Sequence, residues 1–395
     1  MIPTPVKHRF FTPGVLIISV LALNGLVFLA IRFIYGIGAV TNLDNNTPWG
    51  LWIGVDVAAG VALAAGGFTS AALGHVMHRE SYHAIVRPAL LTAMLGYTLV
   101  AFAVCVDIGR FYYIWHPLIM WNGNSALFEV GICVMIYMSV LYIEFLPVVT
   151  ERFIGRVNLP GILKILNKPV DALLRILDKG LSKTMFVFII AGVVLSTLHQ
   201  SSLGTLMVIA GYKMHPLWQT PILPLLFLLS AIAVGFPMII FESLIAARSF
   251  KMKPEIEVLS NLGKMVAPIL AIYLAVKIGD IFVRESFKYI VILDTQSWMF
   301  ITEIAILVRA FFMFMSKKTE NSPARLFIAS SLVIAGVLLN RVNNFIIAYN
   351  PFYNPNIYYP SIGEISVTIG CIALLVLAYR AIVINFPVIS QENKV

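Results

Sequence analysis

Charge is what this sequence has least of. Only 12% of its 395 residues are Asp, Glu, Lys or Arg, against about 25% in a soluble domain, which excludes an ordinary water-soluble globule. Acidic residues are the scarcer sign, 19 against 28 basic, leaving a net charge of +9. Cysteine is scarce too: Cys105, Cys133 and Cys371 each stand alone in an apolar stretch. With no CxxC pair and no haem-attachment motif, neither an iron–sulfur cluster nor a covalent haem is encoded, and the three thiols are expected to be packing residues.

What fills the chain is apolar: 59% of residues are hydrophobic and the mean hydropathy is +0.90. Repeated runs of roughly 20 apolar residues predict an all-α polytopic membrane protein. Ten spans are expected: Pro13 to Tyr35, Gly50 to Met77, Arg87 to Arg110, Ser125 to Thr150, Thr184 to Ala210, Ile222 to Ala247, Lys264 to Val283, Ser297 to Met315, Leu326 to Tyr349 and Ile362 to Asn385. Lys7 and Arg9 precede the first run as in a secretory signal, but the run is too long for one and contains Arg32, so it reads as a retained span.

The basic excess lies in the connections, where nucleic acid is not the partner and membrane lipid is. With the N-terminus inside, the inner connections hold Arg79, Arg152, Arg156, Lys164, Lys168, Arg175, Lys179, Lys183, Arg248, Lys251, Lys253, Lys317, Lys318 and Arg325, fourteen in all. The outer ones hold three, Lys213, Arg284 and Lys288. That asymmetry places both termini in the cytoplasm. In the longest connection, Glu151 to Lys183, apolar pairs alternate with Lys, Arg and Asp at helical spacing, which predicts a short amphipathic helix on the inner membrane surface.

A faint repeat is visible. Asp107-Ile-Gly-Arg110 closes the third span and Lys277-Ile-Gly-Asp280 the seventh; Ser125 and Glu129 open the fourth, Ser297 and Glu303 the eighth; His199 in the fifth is echoed by Arg341 in the ninth. The expectation is two parallel four-helix bundles, spans 2–5 and 6–9, flanked by the first and tenth. By residue this gives 1–49 for the first segment and span, 50–210 and 211–349 for the bundles, and 350–395 for the last span and tail.

The stretch from Cys105 to Glu129 gathers Asp107, Arg110 and Glu129 around one aromatic turn at the outer face. Ionisable groups at such depth usually face a bundle interior, pair, or line a pathway. With Asp56 and His199, also outer, they are candidates for one polar pocket. The glycines of A-A-G-V-A-L-A-A-G-G allow close helix approach or leave room for a flat ligand. The plainer alternatives are that Asp107 and Arg110, three apart on a helix, neutralise each other, and that His199 makes an interhelical hydrogen bond. Tyr97 and Glu144 lie deeper and Arg87 marks the inner mouth, so protonatable groups occur at several depths of one bundle, as a proton relay needs. In the second unit Lys277, Asp280, Glu303, Arg309, Arg341 and Glu242 are expected mainly to pair with one another. A b-type haem is not expected, because His75 near an inner end and His199 in an outer part do not share a depth.

Six motifs now bear on family: N-T-P-W-G-L-W-I (Asn46 to Ile53), R-P-A-L-L (Arg87 to Leu91), D-I-G-R (Asp107 to Arg110), N-S-A-L-F-E (Asn124 to Glu129), T-L-H-Q-S-S-L-G (Thr197 to Gly204) and G-Y-K-M-H-P-L-W-Q (Gly211 to Gln219). In order and over almost the whole chain they resemble the HybB-type membrane subunit of nickel–iron hydrogenases, within the wider NrfD/polysulfide-reductase membrane-subunit family. The resemblance implies a haem-free subunit of a bacterial inner membrane that binds menaquinone near the outer face. It implies electrons delivered by a ferredoxin-like iron–sulfur subunit, itself wired to hydrogenase small and large subunits. It also implies quinone-side and proton-path roles for Asp56, Arg87, Tyr97, Glu129 and Glu144. Two other classes compete. An ion transporter would show broken helices at matching places in both units, whereas Gly235-Phe-Pro237 occurs in one only. A passive anchor, or the quinone subunit of a molybdoenzyme complex, would share most of these features.

Overall fold

The computed structural model describes residues 2–71, 83–351 and 358–391. Apart from one antiparallel pair of two-residue strands, Ile2–Pro3 with Ser390–Gln391, the regular structure there is helical. Among the described residues ten helices are long and apolar enough to cross a membrane: Pro13–Tyr35, Trp52–Ser70, Ile85–Asp107, Ala126–Phe153, Leu163–Lys213, Leu223–Ser249, Ile256–Val283, Thr295–Met315, Pro323–Ile347 and Ile362–Asn385. An even number of crossings returns both chain ends to one face, here the terminal face; the other is the far face. Arg380, buried near the end of the tenth span, ties the ends together by donating to the carbonyls of Arg9 and Phe10.

Local chemistry sets the helix starts. Thr12 caps the first helix by accepting from the Val15 amide, with Pro13 leading the first turn. Ser125 does the same for the fourth through Phe128, and Ser361 and Glu364 form a full capping box on the tenth. The matching Ser297 does not cap the eighth; Asp294 does, accepting from Ser297 itself.

Helix contacts close one ring through the second, third, fourth and fifth spans and another through the sixth to ninth. The sixth joins the rings, packing on the fifth and second. The first and tenth pair with each other outside, where a Cβ on Gly370 would stand 2.6 Å from the Gly25 Cα. The glycines of the second span likewise serve close approach: a Cβ on Gly67 would lie 2.4 Å from the Cβ of Ala93 in the third. The second span is irregular, π-helical from Trp52 to Ala59 and broken at Ala64–Ala65.

The connection before the fifth span departs from expectation. It is helical, but as part of one helix, Asn167–Ala210, of 44 residues, about 66 Å at 1.5 Å per residue. Pro169 sits harmlessly in the first turn, and in the stretch from there to Lys183 Gly180 is the one glycine, a cost of about 1 kcal/mol that flanking turns absorb. Side-chain anchors fix the extension: Thr150 donates to Asp178 at 3.0 Å and the Gly155 amide to Asp171 at 2.6 Å. A separate surface helix would have to break both.

Candidate functional site

The residues expected to form one outer pocket fall into separate groups. Asp56, in the π-helical turn, accepts from Thr368 of the tenth span at 2.7 Å. Asp107 lies within electrostatic reach of Arg32, Asp56 and Glu364, so these two carboxylates face the seam of the first, second, third and tenth spans. Arg32 is the organising cation there. It is 1% exposed and donates to the Val106 and Ile108 carbonyls, each at 2.6 Å, which places it against the C-terminal end of the third helix, where the dipole favours positive charge. Glu364 accepts from Tyr358 and from the Asn42 and Ser361 amides. Arg110 is exposed in the far-face turn; it makes no ion pair with Asp107 among the described residues.

Glu129 and His199 belong to the first ring, Glu129 at its exposed rim and His199 inside it. Glu129, on the first turn of the fourth span, accepts from Ser202 of the fifth. One turn further in, His199 is fully buried, and neither ring nitrogen has a hydrogen-bond partner among the described residues. Its ring lies 5.6 Å from that of Tyr97, which meets Tyr137 edge-on at 4.4 Å. Tyr97 Oη, Ser196 Oγ and one oxygen of Glu144 are likewise buried and unpartnered among the described residues. Glu144 occupies the hollow left by Gly192: a Cβ there would stand 2.7 Å from its Oε1. At the terminal face Arg87 pairs with Glu151 at 2.8 Å and donates to the Pro387 carbonyl at 2.9 Å.

Glu129 and Glu144 are 15 residues apart on one helix, about 22 Å along its axis. Between them lie Ser202, His199, Tyr97, Ser196 and Gly192. Neither His199 nor the buried Oε1 of Glu144 has a hydrogen-bond partner among the described residues, so bridging waters are required for protons to pass. What the arrangement offers is a line of buried donors and acceptors with unused capacity, in a setting where an unmet polar atom costs about 1–3 kcal/mol.

Sequence reading assigned Glu242 to the second unit. The structure places it facing Thr92 of the third span and Tyr379 of the tenth, near a terminal-face cleft of about 70 Å³ lined by Pro88, Ser243 and Tyr379 among others. Arg32, Tyr137, Ser196, Gln200 and Glu364 are further polar participants not picked out in advance. A lone Arg in the first span was their clearest signal. His75, on which the haem argument partly turned, lies outside the described residues, as does Arg79.

The family model for polysulphide reductase, NrfD, matches residues 39–350. The chain belongs to the NrfD family. It is 35% identical over 98% of its length to a Nitratidesulfovibrio vulgaris protein, covering 97% of that relative. It is 32% identical to the probable Ni/Fe-hydrogenase 2 b-type cytochrome subunit of Escherichia coli, over 98% of this chain and 95% of the relative. The integral membrane subunit of menaquinone reductase from Nitratidesulfovibrio vulgaris is 27% identical, over 90% and 87% respectively. This NrfD chain is therefore a multi-pass membrane protein related to the membrane subunits of hydrogenase and reductase complexes.

Proposed function

We propose that this NrfD subunit is the menaquinone-reactive membrane component of a nickel–iron hydrogenase complex in a bacterial inner membrane, with both termini cytoplasmic. The observation that carries the reading is the line of buried groups at Tyr97, His199, Ser196 and Glu144, each with an atom unpartnered among the described residues, running between Glu129 and the Arg87–Glu151 pair. The names of the hydrogenase and menaquinone reductase relatives support a quinone substrate and assembly into a larger complex; on this reading the partners are a ferredoxin-like iron–sulfur subunit with hydrogenase small and large subunits behind it.

Reducing a quinone to its quinol takes two electrons and two protons, and each carbonyl oxygen gains one hydrogen. On this reading the partner brings the electrons to the far face. Asp56, Asp107, Arg110, Glu129 and His199 border the quinone side, with His199 and Glu129 closest to the relay. Tyr97 and Glu144 bring protons inward from the terminal face, where Arg87 guards the mouth. General acid work of this kind needs the donor within one hydrogen bond, or one water, of the acceptor oxygen. Haem is not part of the reading. The unpartnered nitrogens of His199 are suitable ligands, but the other described histidines that have placed side chains, His8, His116 and His215, all lie in connections and give it no second axial imidazole.

The test uses the whole complex in proteoliposomes with a potential-sensitive dye. Wild type should reduce menaquinone and build a potential, and Glu144→Gln should lose both while the partner still reduces an artificial dye. Rapid quinone reduction with no potential would mean protons enter from the far face and would remove the relay. A reduced-minus-oxidised b-type spectrum from the subunit freed of its partners would bring haem back.

A further inference from the structure

The second ring buries more charge than the first, and the proposed function leaves it unused. Lys277 of the seventh span is 4% exposed, and Glu303 of the eighth and Arg341 of the ninth are 0% exposed. Lys277 and Glu303 form an ion pair. Glu303 is then saturated: Asn340 donates to it at 2.9 Å, Asn343 at 2.8 Å and Trp218 at 3.4 Å. Among the described residues Arg341 has neutral partners only. It donates to Asn340 Oδ1 at 2.6 Å and Ser230 Oγ at 2.9 Å and stands 3.7 Å over the Phe227 ring, with its Nε unpartnered among the described residues. Two cations thus share one carboxylate, a net +1 where burial makes an unmatched charge expensive.

A cavity of about 10 Å³ adjoins the cluster, lined by Lys277, Asp280, Thr220, Asn340 and Asn344 among others. That is room for one water, and Asn344, fully buried, brings to it a side-chain oxygen with no partner among the described residues. On the far side of the cavity Asp280 accepts from Thr220 at 2.8 Å and pairs with Arg284 at 2.7 Å, at the far-face rim. Facing Lys277 are Tyr273, Asp280 and Arg284 from its own helix side, Glu303 from the eighth span and Arg341 from the ninth. The sixth span and its lead-in offer neutral groups, Ser230, Thr220 and Trp218. The ninth helix turns π-helical at Asn343–Ile347, an irregularity frequent at functional sites.

We propose that Lys277 is a second proton-exchange site of this chain, open to the far face through a water in that cavity and Asp280. The Lys277 ammonium gives one proton to the water, which passes one to the Asp280 carboxylate and so to the aqueous face. The cluster goes from net +1 to neutral, with Glu303 matched by Arg341 through Asn340. Return of the proton reverses each transfer. Of the two buried cations, Lys277 is the one that can do this, since a guanidinium does not deprotonate in proteins.

The test needs no quinone turnover, so it stands apart from the function proposed above. The full chain is labelled with ¹⁵N-lysine and placed in lipid vesicles for solid-state NMR. Lys277→Met identifies the side-chain signal by its loss; Lys277→Arg serves if that variant does not fold. Transferred to deuterated buffer, the Lys277 ammonium should exchange its protons through the cavity water, more slowly than surface lysines but to completion. Asn344→Leu, which fills the cavity and leaves the Glu303 contacts in place, should slow proton exchange at Lys277 on the order of tenfold. A Lys277 ammonium that keeps its protons in deuterated buffer would make the pair a static strut. Unchanged exchange in Asn344→Leu would remove the route.

Discussion

Glu129 and Glu303 open corresponding spans, four residues after Ser125 and six after Ser297, yet their surroundings are opposite. Glu129 sits at the exposed rim with Ser202 as its partner, above a column in which His199, Tyr97, Ser196 and Glu144 have buried atoms without partners among the described residues. Glu303 is sealed and takes donors from Lys277, Asn340, Asn343 and Trp218. Similar residue types therefore do different things in the two rings. Unmet polar atoms lower stability and leave capacity for water or substrate; a saturated carboxylate locks helices together. The consequence is a separation of effects: substitutions in the first ring should strike turnover, and those in the second should strike folding first.

The largest expected effect tests that separation directly. Glu303→Ala strands Lys277 beside Arg341 without a carboxylate, and breaking a buried pair in this way costs about 3–5 kcal/mol. Chemical unfolding in detergent should register it. His199→Leu should leave unfolding within about 1 kcal/mol of wild type and abolish quinone reduction in the assembled complex, with dye-linked activity of the partner intact. If Glu303→Ala unfolds like wild type, or His199→Leu reduces quinone normally, the contrast between the rings is wrong.

A smaller effect sharpens the reading of the first ring. Gly192→Ala places a methyl group where the Glu144 carboxylate now rests. The side chain must swing aside, so quinone turnover should fall several-fold while the second ring is untouched. Comparing Gly192→Ala with Glu144→Gln in one turnover assay separates loss of position from loss of the proton. Equal activity of Gly192→Ala and wild type would show that the present placement of Glu144 is not the working one.

Hydropathy was enough for the ten helices, because a bilayer demands length and apolarity of each one and both are local properties. Side-chain partnerships were not local. Asp107 and Arg110 looked like a pair by spacing, but the helix ends at Asp107, so Arg110 turns outward, and the cation within electrostatic reach of Asp107 is Arg32, some 75 residues earlier, which donates to the carbonyls on either side of it. Glu242 was assigned to the second unit by chain order, yet the sixth span joins both rings and this side chain points to the third and tenth. The saturation of Glu303 depended on Asn340 and Asn343, whose significance appears only when the ninth helix is laid against the eighth. The continuous helix through Lys183 was missed for a different reason: an amphipathic pattern reports which residues share a face and is silent about where the axis points.

The smallest expected effect concerns the seal over the second ring. His215 lies in the far-face connection, its Nδ1 accepting from the Leu217 amide at 3.3 Å and its ring 5.9 Å from Trp218, the residue that donates to Glu303. Burial holds the imidazole below its ordinary value of 6.5, against the opposing pull of Asp294. The unfolded chain therefore binds the proton more readily than the folded one. His215 thus contributes stability that is complete above about pH 6.5 and drains away as pH falls through the lower folded value. Protonation at Nδ1 also removes the acceptor for Leu217 and loosens the footing of Trp218. His215→Gln lacks the titration, so thermal midpoints measured between about pH 7.5 and 5.5 should fall less in the variant than in wild type. The carboxylates common to both proteins cancel in that difference. Parallel curves would show that the His215 ring does not hold the seal, which would then rest on the contacts of the Trp218 ring with Glu303 and Phe300.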